Sequence, residues 1–215
     1  MSFLTMLETM SSGMLKTCAI FFLTILFSLP LGFLVSFGRM SKNPILRNIV
    51  KVYISIMRGT PLMLQLLVWY FGPFYLFKIP IRGYRFTAIL LGFAFNYAAY
   101  FGEIFRAGIE SMPQGQYEAA KVLGYTKTQT FFRIILPQVI KRILPAVTNE
   151  VITLVKDTSL AFSLAYQEIF SIAKQISTSQ TSFMPFLIAG VFYYIMNYAV
   201  AFTMERIEKS MSYYR

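Results

Sequence analysis

Histidine is absent from this chain of 215 residues, and Cys18 is its single cysteine. The first absence removes the side chain that most often moves protons near neutral pH and most often ligates metals. The second excludes an internal disulfide, and together they leave no Cys/His cluster to hold a metal. Charge is scarce as well: 13% of the residues are charged against 56% hydrophobic, and the mean hydropathy is +0.58. So little polar surface cannot cover a soluble domain, and the chain reads as a membrane protein. No G-x-x-x-x-G-K-[ST] loop occurs, so the chain itself is not expected to hydrolyse a nucleotide. No catalytic residue, bound cofactor or metal site is assigned to it.

A hydrocarbon core about 30 Å thick is crossed by roughly 20 apolar helical residues. Five segments answer to that: 14–38, 59–77, 86–109, 143–167 and 183–205, the fourth interrupted by Glu150, Lys156 and Asp157. No basic cluster precedes the first segment and no small-residue cleavage site closes it, so it is read as a retained span and not as a signal peptide. Lysine and arginine collect at Arg39, Lys42, Arg47 and Lys51, at Lys121, Lys127, Arg133, Lys141 and Arg142, and at Arg206, Lys209 and Arg215. The alternate segments hold the smaller set Lys16, Lys78, Arg82, Arg85 and Lys174. The richer side is cytoplasmic, which places the amino terminus outside and the carboxyl terminus in the cytoplasm. Topology and anionic inner-leaflet lipid then account for the formal net charge of +11, and no nucleic-acid partner is needed. The expected fold is all-α and integral to the membrane, one transmembrane domain over 1–215 with five transmembrane helices. The stretch Arg39 to Lys51 reads as an amphipathic interfacial helix. Gln167 to Ser182, rich in Ser, Thr and Gln, reads as a solvated external loop.

One cytoplasmic stretch between the third and fourth spans is too well patterned to be a simple connection: EAAKVLGYTKTQTFFRIILP, residues 118–137. A short helix is expected at about 116–124, with Ala119, Val122 and Leu123 on one side and Gly124 as its stop. A second helix should run from about Thr126 to Leu136, where Pro137 would end or bend it. Small Ala residues beside an acid form a knob that a partner's groove can approach closely, and Gly124 admits a left-handed turn.

The spacing Glu118-Ala119-Ala120, Gly124, Ile134, Leu136-Pro137 resembles the EAA signature of permease subunits of ATP-binding-cassette importers. RGTPLMLQL (Arg58 to Leu66), EIFRAGIESMPQGQYEAA (Glu103 to Ala120) and KDTSLA (Lys156 to Ala161) resemble segments that mark the polar amino acid subfamily, so the likeness runs over most of the chain. The resemblance implies a type I importer permease that pairs with a second copy or a homologous permease. It further implies two cytoplasmic ATPase subunits carrying ATP and Mg, and an extracytoplasmic substrate-binding protein that delivers an amino acid. In this family the EAA helix is the coupling helix and fits a groove on the ATPase. The expected location is the bacterial cytoplasmic membrane, multi-pass.

Ionisable groups at bilayer depth are costly and point to function. In the third span Asn96, Tyr100, Glu103 and Glu110 share one helical face with Arg106 at its edge, and Glu103 and Glu110 are spaced to pair with Arg106. In the fourth, Asn149, Thr153 and Lys156 share one side and Glu150 and Asp157 an adjacent one. Asp157-Thr158-Ser159 reads as a helix break, tolerated at membrane depth only where it lines protein or a watery cavity. Asn96, Tyr100, Glu103, Asn149, Glu150, Lys156, Asp157, Ser159 and Gln65 are the candidates for the substrate path, with Arg106, Glu110, Lys156 and Asp157 equally open to a structural role. Arg58 reads as an anchor near the cytoplasmic interface, Thr60-Pro61 as the start of the second span, and Gly72-Pro73 as its bend. Glu103, Glu150 and Asp157 outnumber Arg106 and Lys156, a lean towards a cationic or zwitterionic amino acid. The competing readings are an integral membrane enzyme built on Lys156, Asp157 and Ser159, which requires a Ser-Lys pair in hydrogen-bond reach, and a secondary carrier driven by an ion gradient.

Overall fold

A computed structural model describes residues 2–80 and 82–211, and every regular element within them is helical. α1 spans Phe3–Arg39, α2 Pro44–Gly59, α3 Leu62–Phe77, α4 Arg85–Glu110 and α5 Gln114–Val122. A single rod follows, made of α6 (Lys127–Gln129), a π-helical stretch Thr130–Ile135, α7 (Leu136–Asp157) and a 3-10 stretch Thr158–Leu164. α8 (Ile169–Gln180) and α9 (Met184–Ser210) complete the chain.

Three helices, α1, α4 and α9, are long and apolar enough to cross a bilayer, and α2 with α3 forms a fourth candidate bent by 112°. α4 is the hub. Its most apolar stretch is 61% buried, against 28% for α1 and 17% for α9, which leave their apolar faces outward. Phe93, Tyr97 and Phe101 of α4 form the centre of the main core, with Ile20 and Phe21 from α1, Leu66 from α3 and Leu154 from α7 around them. Helices gain little from hydrophobic exclusion inside lipid, so close packing must hold them, and glycine permits it. Gly32 of α1 and Gly102 of α4 meet where the two helices cross; a Cβ on Gly32 would stand 2.8 Å from Phe101 Cβ and 3.2 Å from the Ala98 carbonyl oxygen.

Three expectations are corrected here. The solvated external loop at Gln167 to Ser182 is mostly a helix: Ile169, Ile172, Ala173 and Ile176 recur at helical spacing and pack on Met6 and Met10 of α1 and Ala189 of α9. α1, at 37 residues, is roughly 55 Å long by its rise per residue, which exceeds the core of a bilayer, and α8 packs on its amino-terminal part at Met6 and Met10. Glu168 caps α8 from a fully buried position, accepting from the N–H groups of Phe170 at 2.7 Å and Ser171 at 2.6 Å and from the Tyr193 hydroxyl at 3.2 Å.

The second correction concerns Pro137, which does not end the helix. It falls in the first turn of α7, directly after the π-helical stretch, whose wider turn takes up the missing N–H and the bulk of the ring; the Leu136 N–H reaches back to Phe131 O. The third concerns the second span, where the main change of direction falls between Gly59 and Leu62 rather than at Gly72-Pro73, and Thr60 closes α2 instead of opening α3.

Candidate functional site

Two polar regions stand out, one on the face that carries α5 and one inside the bundle. α5 runs from Gln114 and is closed by a Schellman turn: the Tyr125 N–H donates to Ala120 O at 3.0 Å and the Gly124 N–H to Lys121 O at 3.1 Å. Gly124 supplies the left-handed backbone that this turn requires, with φ +80. Thr126 and Gln129 then open the rod with reciprocal side-chain caps. Glu118 and Ala119 are exposed, and Val122 and Leu123 are 88% and 74% exposed, so α5 presents an apolar, acid-edged face to the outside of the chain. Ala120 points the other way and is 1% exposed. Of the signature residues, Ala120 therefore packs inward, and Ile134, Leu136 and Pro137 are half-buried in the rod.

What holds α5 in place was not legible in the chain. Gln116 and Gln138 exchange two amide hydrogen bonds of 2.9 and 3.0 Å, and Gln138 also donates to Ile134 O at 2.7 Å. Tyr117 packs beneath on the Met112, Ile135 and Val139 cluster, and burial pushes its phenol above the ordinary value, keeping it neutral. Arg142 caps the end of α4 through Ser111 O at 2.6 Å and Ser111 Oγ at 2.9 Å. Gln138→Leu should remove the clasp and loosen α5 by about 1 kcal/mol, the net worth of an ordinary side-chain hydrogen bond. Faster amide exchange at 114–122 with an unchanged Tm is the expected readout.

Inside the bundle the α2–α3 bend falls beside Asn96, near the middle of α4. Asn96 Nδ2 donates to Met57 O at 2.9 Å and to Gln65 Oε1 at 3.0 Å, while Gln65 Nε2 donates to Met57 O, Thr60 O and Thr60 Oγ1. A broken helix in lipid leaves backbone carbonyls that water cannot reach, and these two amides satisfy them. Asn96, 4% exposed, and Gln65 are candidates for the path by sequence; in the structure both amide donors of Asn96 are engaged at the break. Asn96→Leu should strip a donor from two buried acceptors, a loss of about 1–3 kcal/mol, seen as a lower Tm in detergent with ATPase recruitment intact.

Next to the break, a cavity of about 450 Å³ opens between α2, α4 and α7. It brings together Tyr100, Glu103, Arg106 and Glu150 with Arg58 and Arg142. Arg58, expected as an interfacial anchor, lies 5.1 Å from the Tyr100 ring centroid at the edge of this cavity. The reason is the bend, which ends α2 against α4. Glu103 pairs with Arg106 at 2.7 Å and stands 3.8 Å from Arg39, and Arg106 also reaches Glu110.

Other candidates lie outside the cavity lining. Asn149, Thr153 and Lys156 are exposed along one face of α7, and α7 ends at Asp157, whose carboxylate accepts from the Tyr97 hydroxyl at 2.7 Å. Tyr97, buried among aromatic residues, carried no sequence signal for this role. Ser159 Oγ donates to the Lys156 carbonyl at 2.8 Å, and among the described residues no hydrogen bond joins it to the Lys156 ammonium. The Ser-Lys pair that an enzyme would need is not formed.

The family model described as "Binding-protein-dependent transport system inner membrane component" matches residues 9–213. The chain is 36% identical over 200 residues to a putative glutamine transport system permease protein of Rickettsia typhi, covering 93% of this chain and 91% of that one. It is 34% identical over 208 residues to the L-cystine transport system permease protein TcyB of Bacillus subtilis, covering 95% and 87%. Among solved structures, an amino acid ABC transporter crystallised with histidines superposes with a TM-score of 0.85 at 31% identity, covering 98% of this chain and 99% of that one. The MetNI methionine ABC transporter, at 20% identity and a TM-score of 0.77, shares the fold over the same 98% and 99%. The chain belongs to the family of binding-protein-dependent transport system inner membrane components.

Proposed function

We infer that this chain is the transmembrane permease subunit of an ATP-driven amino acid importer, and that α5 is the lever through which a separate cytoplasmic ATPase drives it. The observation that carries this is the outward face of α5, where Glu118, Ala119, Val122 and Leu123 stand exposed on a nine-residue helix clasped to α7 through Gln116 and Gln138. Exposed apolar residues on a short, rigidly held cytoplasmic helix are an anchor for a partner's groove. The chain is not itself catalytic; ATP and Mg belong to the ATPase.

The reading fits a five-crossing topology in the bacterial cytoplasmic membrane. α1 enters from outside, α2 and α3 return as one bent span, and α4 crosses inward to the coupling unit. α7 and its 3-10 extension cross outward as the fifth and most polar span, α8 lies on the external side, and α9 ends in the cytoplasm. Two permeases, alike or homologous, would enclose the path between them, with an extracytoplasmic binding protein delivering the amino acid to α8's side. Glu103, Glu150, Lys156 and Asp157 would line that path, with Tyr100, Asn149 and Ser159 at its walls. Alternating access follows if ATP-driven closure of the ATPases moves α5 and, through the Gln clasp and the continuous rod, α7.

The experiment is co-purification of the chain with its ATPase, then amino-acid-stimulated ATP hydrolysis in liposomes holding the binding protein. Stimulation by one class of amino acid is expected. A correctly inserted chain that recruits no ATPase would leave a carrier as the surviving alternative.

A further inference from the structure

We propose that the cavity at the start of α7 is a phosphate site, which takes the headgroup of an anionic phospholipid or a free phosphate anion. A space of about 550 Å³ opens between the end of α4 and the rod, where Arg133, Lys141 and Arg142 line it beside Met112, Pro137 and Gln138. It is distinct from the cavity beside the α2–α3 bend, with which it shares Arg142 alone. No acid is in its wall. None of the three cations forms an ion pair among the described residues. Of the acids on either side of Met112 in the chain, Glu110 is held by Arg106 and Glu118 stands exposed on α5. Like charges gathered at one cavity repel one another, and an anion bound among them removes that cost.

The donors suit phosphate better than carboxylate. Arg142 is already positioned, since its Nη1 donates to Ser111 O and Ser111 Oγ and leaves the Nη2 edge uncommitted among the described residues. A guanidinium fork grips two phosphate oxygens, the Lys141 ammonium adds a point charge, and a phosphate has oxygens enough to meet all three cations at once. Gln138 contributes no donor, because its amide nitrogen serves Gln116 and Ile134. Selection therefore rests on charge. Phe132 and Ile140, next in sequence to Arg133 and Lys141, are 54% and 38% exposed, apolar surface that an acyl chain can cover. In the topology proposed above the cavity lies at the cytoplasmic leaflet, where anionic lipid is abundant and basic pockets between helices hold headgroups.

The test uses the purified full chain in neutral detergent, where no charged bilayer surface contributes. One arm measures binding of fluorescent phosphatidylglycerol against phosphatidylcholine carrying the same label; the other measures binding of radiolabelled inorganic phosphate. Wild-type protein should bind phosphatidylglycerol at least about tenfold more tightly than phosphatidylcholine, whose ammonium the three cations repel. Arg133 and Lys141 make no side-chain hydrogen bond among the described residues, so their removal spares the internal contacts. Arg133→Gln and Lys141→Gln should each weaken binding about tenfold, the worth of one charge-assisted hydrogen bond, while Lys141→Arg and the exposed α2 control Arg47→Gln stay within about twofold of wild type. Preference for phosphatidylglycerol assigns the site to lipid, and saturable phosphate binding that Lys141→Gln abolishes, without a lipid preference, assigns it to the free anion. Binding in neither arm, or an equal loss in Arg47→Gln and Lys141→Gln, overturns the proposal.

Discussion

Gly124→Val is expected to lower amino-acid-stimulated ATP hydrolysis and uptake by at least about an order of magnitude while membrane insertion and Tm stay near wild type, because the strain falls on one exposed turn. Nothing lies within 4 Å of a Cβ built on Gly124, so crowding is not the cause. The cause is the backbone, held at φ +80. A β-branched residue there is disfavoured by about 1–2 kcal/mol or more, and the relief available is to open the turn. Opening it breaks the Tyr125 to Ala120 and Gly124 to Lys121 hydrogen bonds and re-aims α5 against the rod that starts at Lys127. α5 has nine residues and no stability of its own away from this turn and the Gln clasp. Gly115→Ala is the control, since Gly115 also meets nothing within 4 Å and has no left-handed backbone; its hydrolysis should match wild type. Wild-type stimulation in Gly124→Val proteoliposomes would sink the account.

Gly32→Val should act at the opposite extreme and prevent the bundle from assembling. Its Cβ would meet Phe101 Cβ at 2.8 Å, Ala98 O at 3.2 Å and Gly102 N at 3.2 Å. Two of these are backbone atoms of α4 and cannot rotate away, so α1 must withdraw along the crossing. Overpacking of this kind costs about 3 kcal/mol, a large part of the margin by which a domain is stable. The expected result is loss of monodisperse protein on extraction and a marked fall in Tm for whatever survives. Gly190→Val in α9, where a Cβ meets nothing within 4 Å, should be tolerated by comparison. A Gly32→Val protein that extracts and melts like wild type would mean that α1 and α4 do not touch in the way described.

α5 and its turn were largely legible because their determinants are local. A nine-residue helix, a glycine at its end and a threonine cap three residues before Gln129 act over one to three turns, and sequence spacing records them directly. The change at Asp157 was legible in part: α7 ends there, but it passes without a side-chain cap into the 3-10 stretch Thr158–Leu164 and not into a break with a new N-cap. The helix at 169–180 is not legible from composition, which is rich in Ser, Thr and Gln; only the spacing of Ile169, Ile172, Ala173 and Ile176 signals it.

Arg58 shows the other limit. Its neighbours in sequence place it at the end of an amphipathic stretch, which suits an interface, yet the bend between Gly59 and Leu62 sets it over Tyr100, far along the chain. Asn96 likewise has the chemistry of a ligand and serves as a clamp, since whether an amide faces a cavity or a broken helix depends on which backbone lies opposite.

The sequence by itself determined the class: apolar runs of spanning length, basic residues gathered in alternate connections, no histidine and one cysteine, and a motif at 118–137 whose spacing is local. Those properties follow from composition and short-range periodicity. Only the tertiary structure decided which buried polar groups are spent on one another and which are left over, because pairing between Gln116 and Gln138, Tyr97 and Asp157, or Asn96 and Met57 joins residues from different helices. Burial makes such pairing valuable in lipid, and which groups can pair depends on which backbone and side chains the packed helices bring opposite one another.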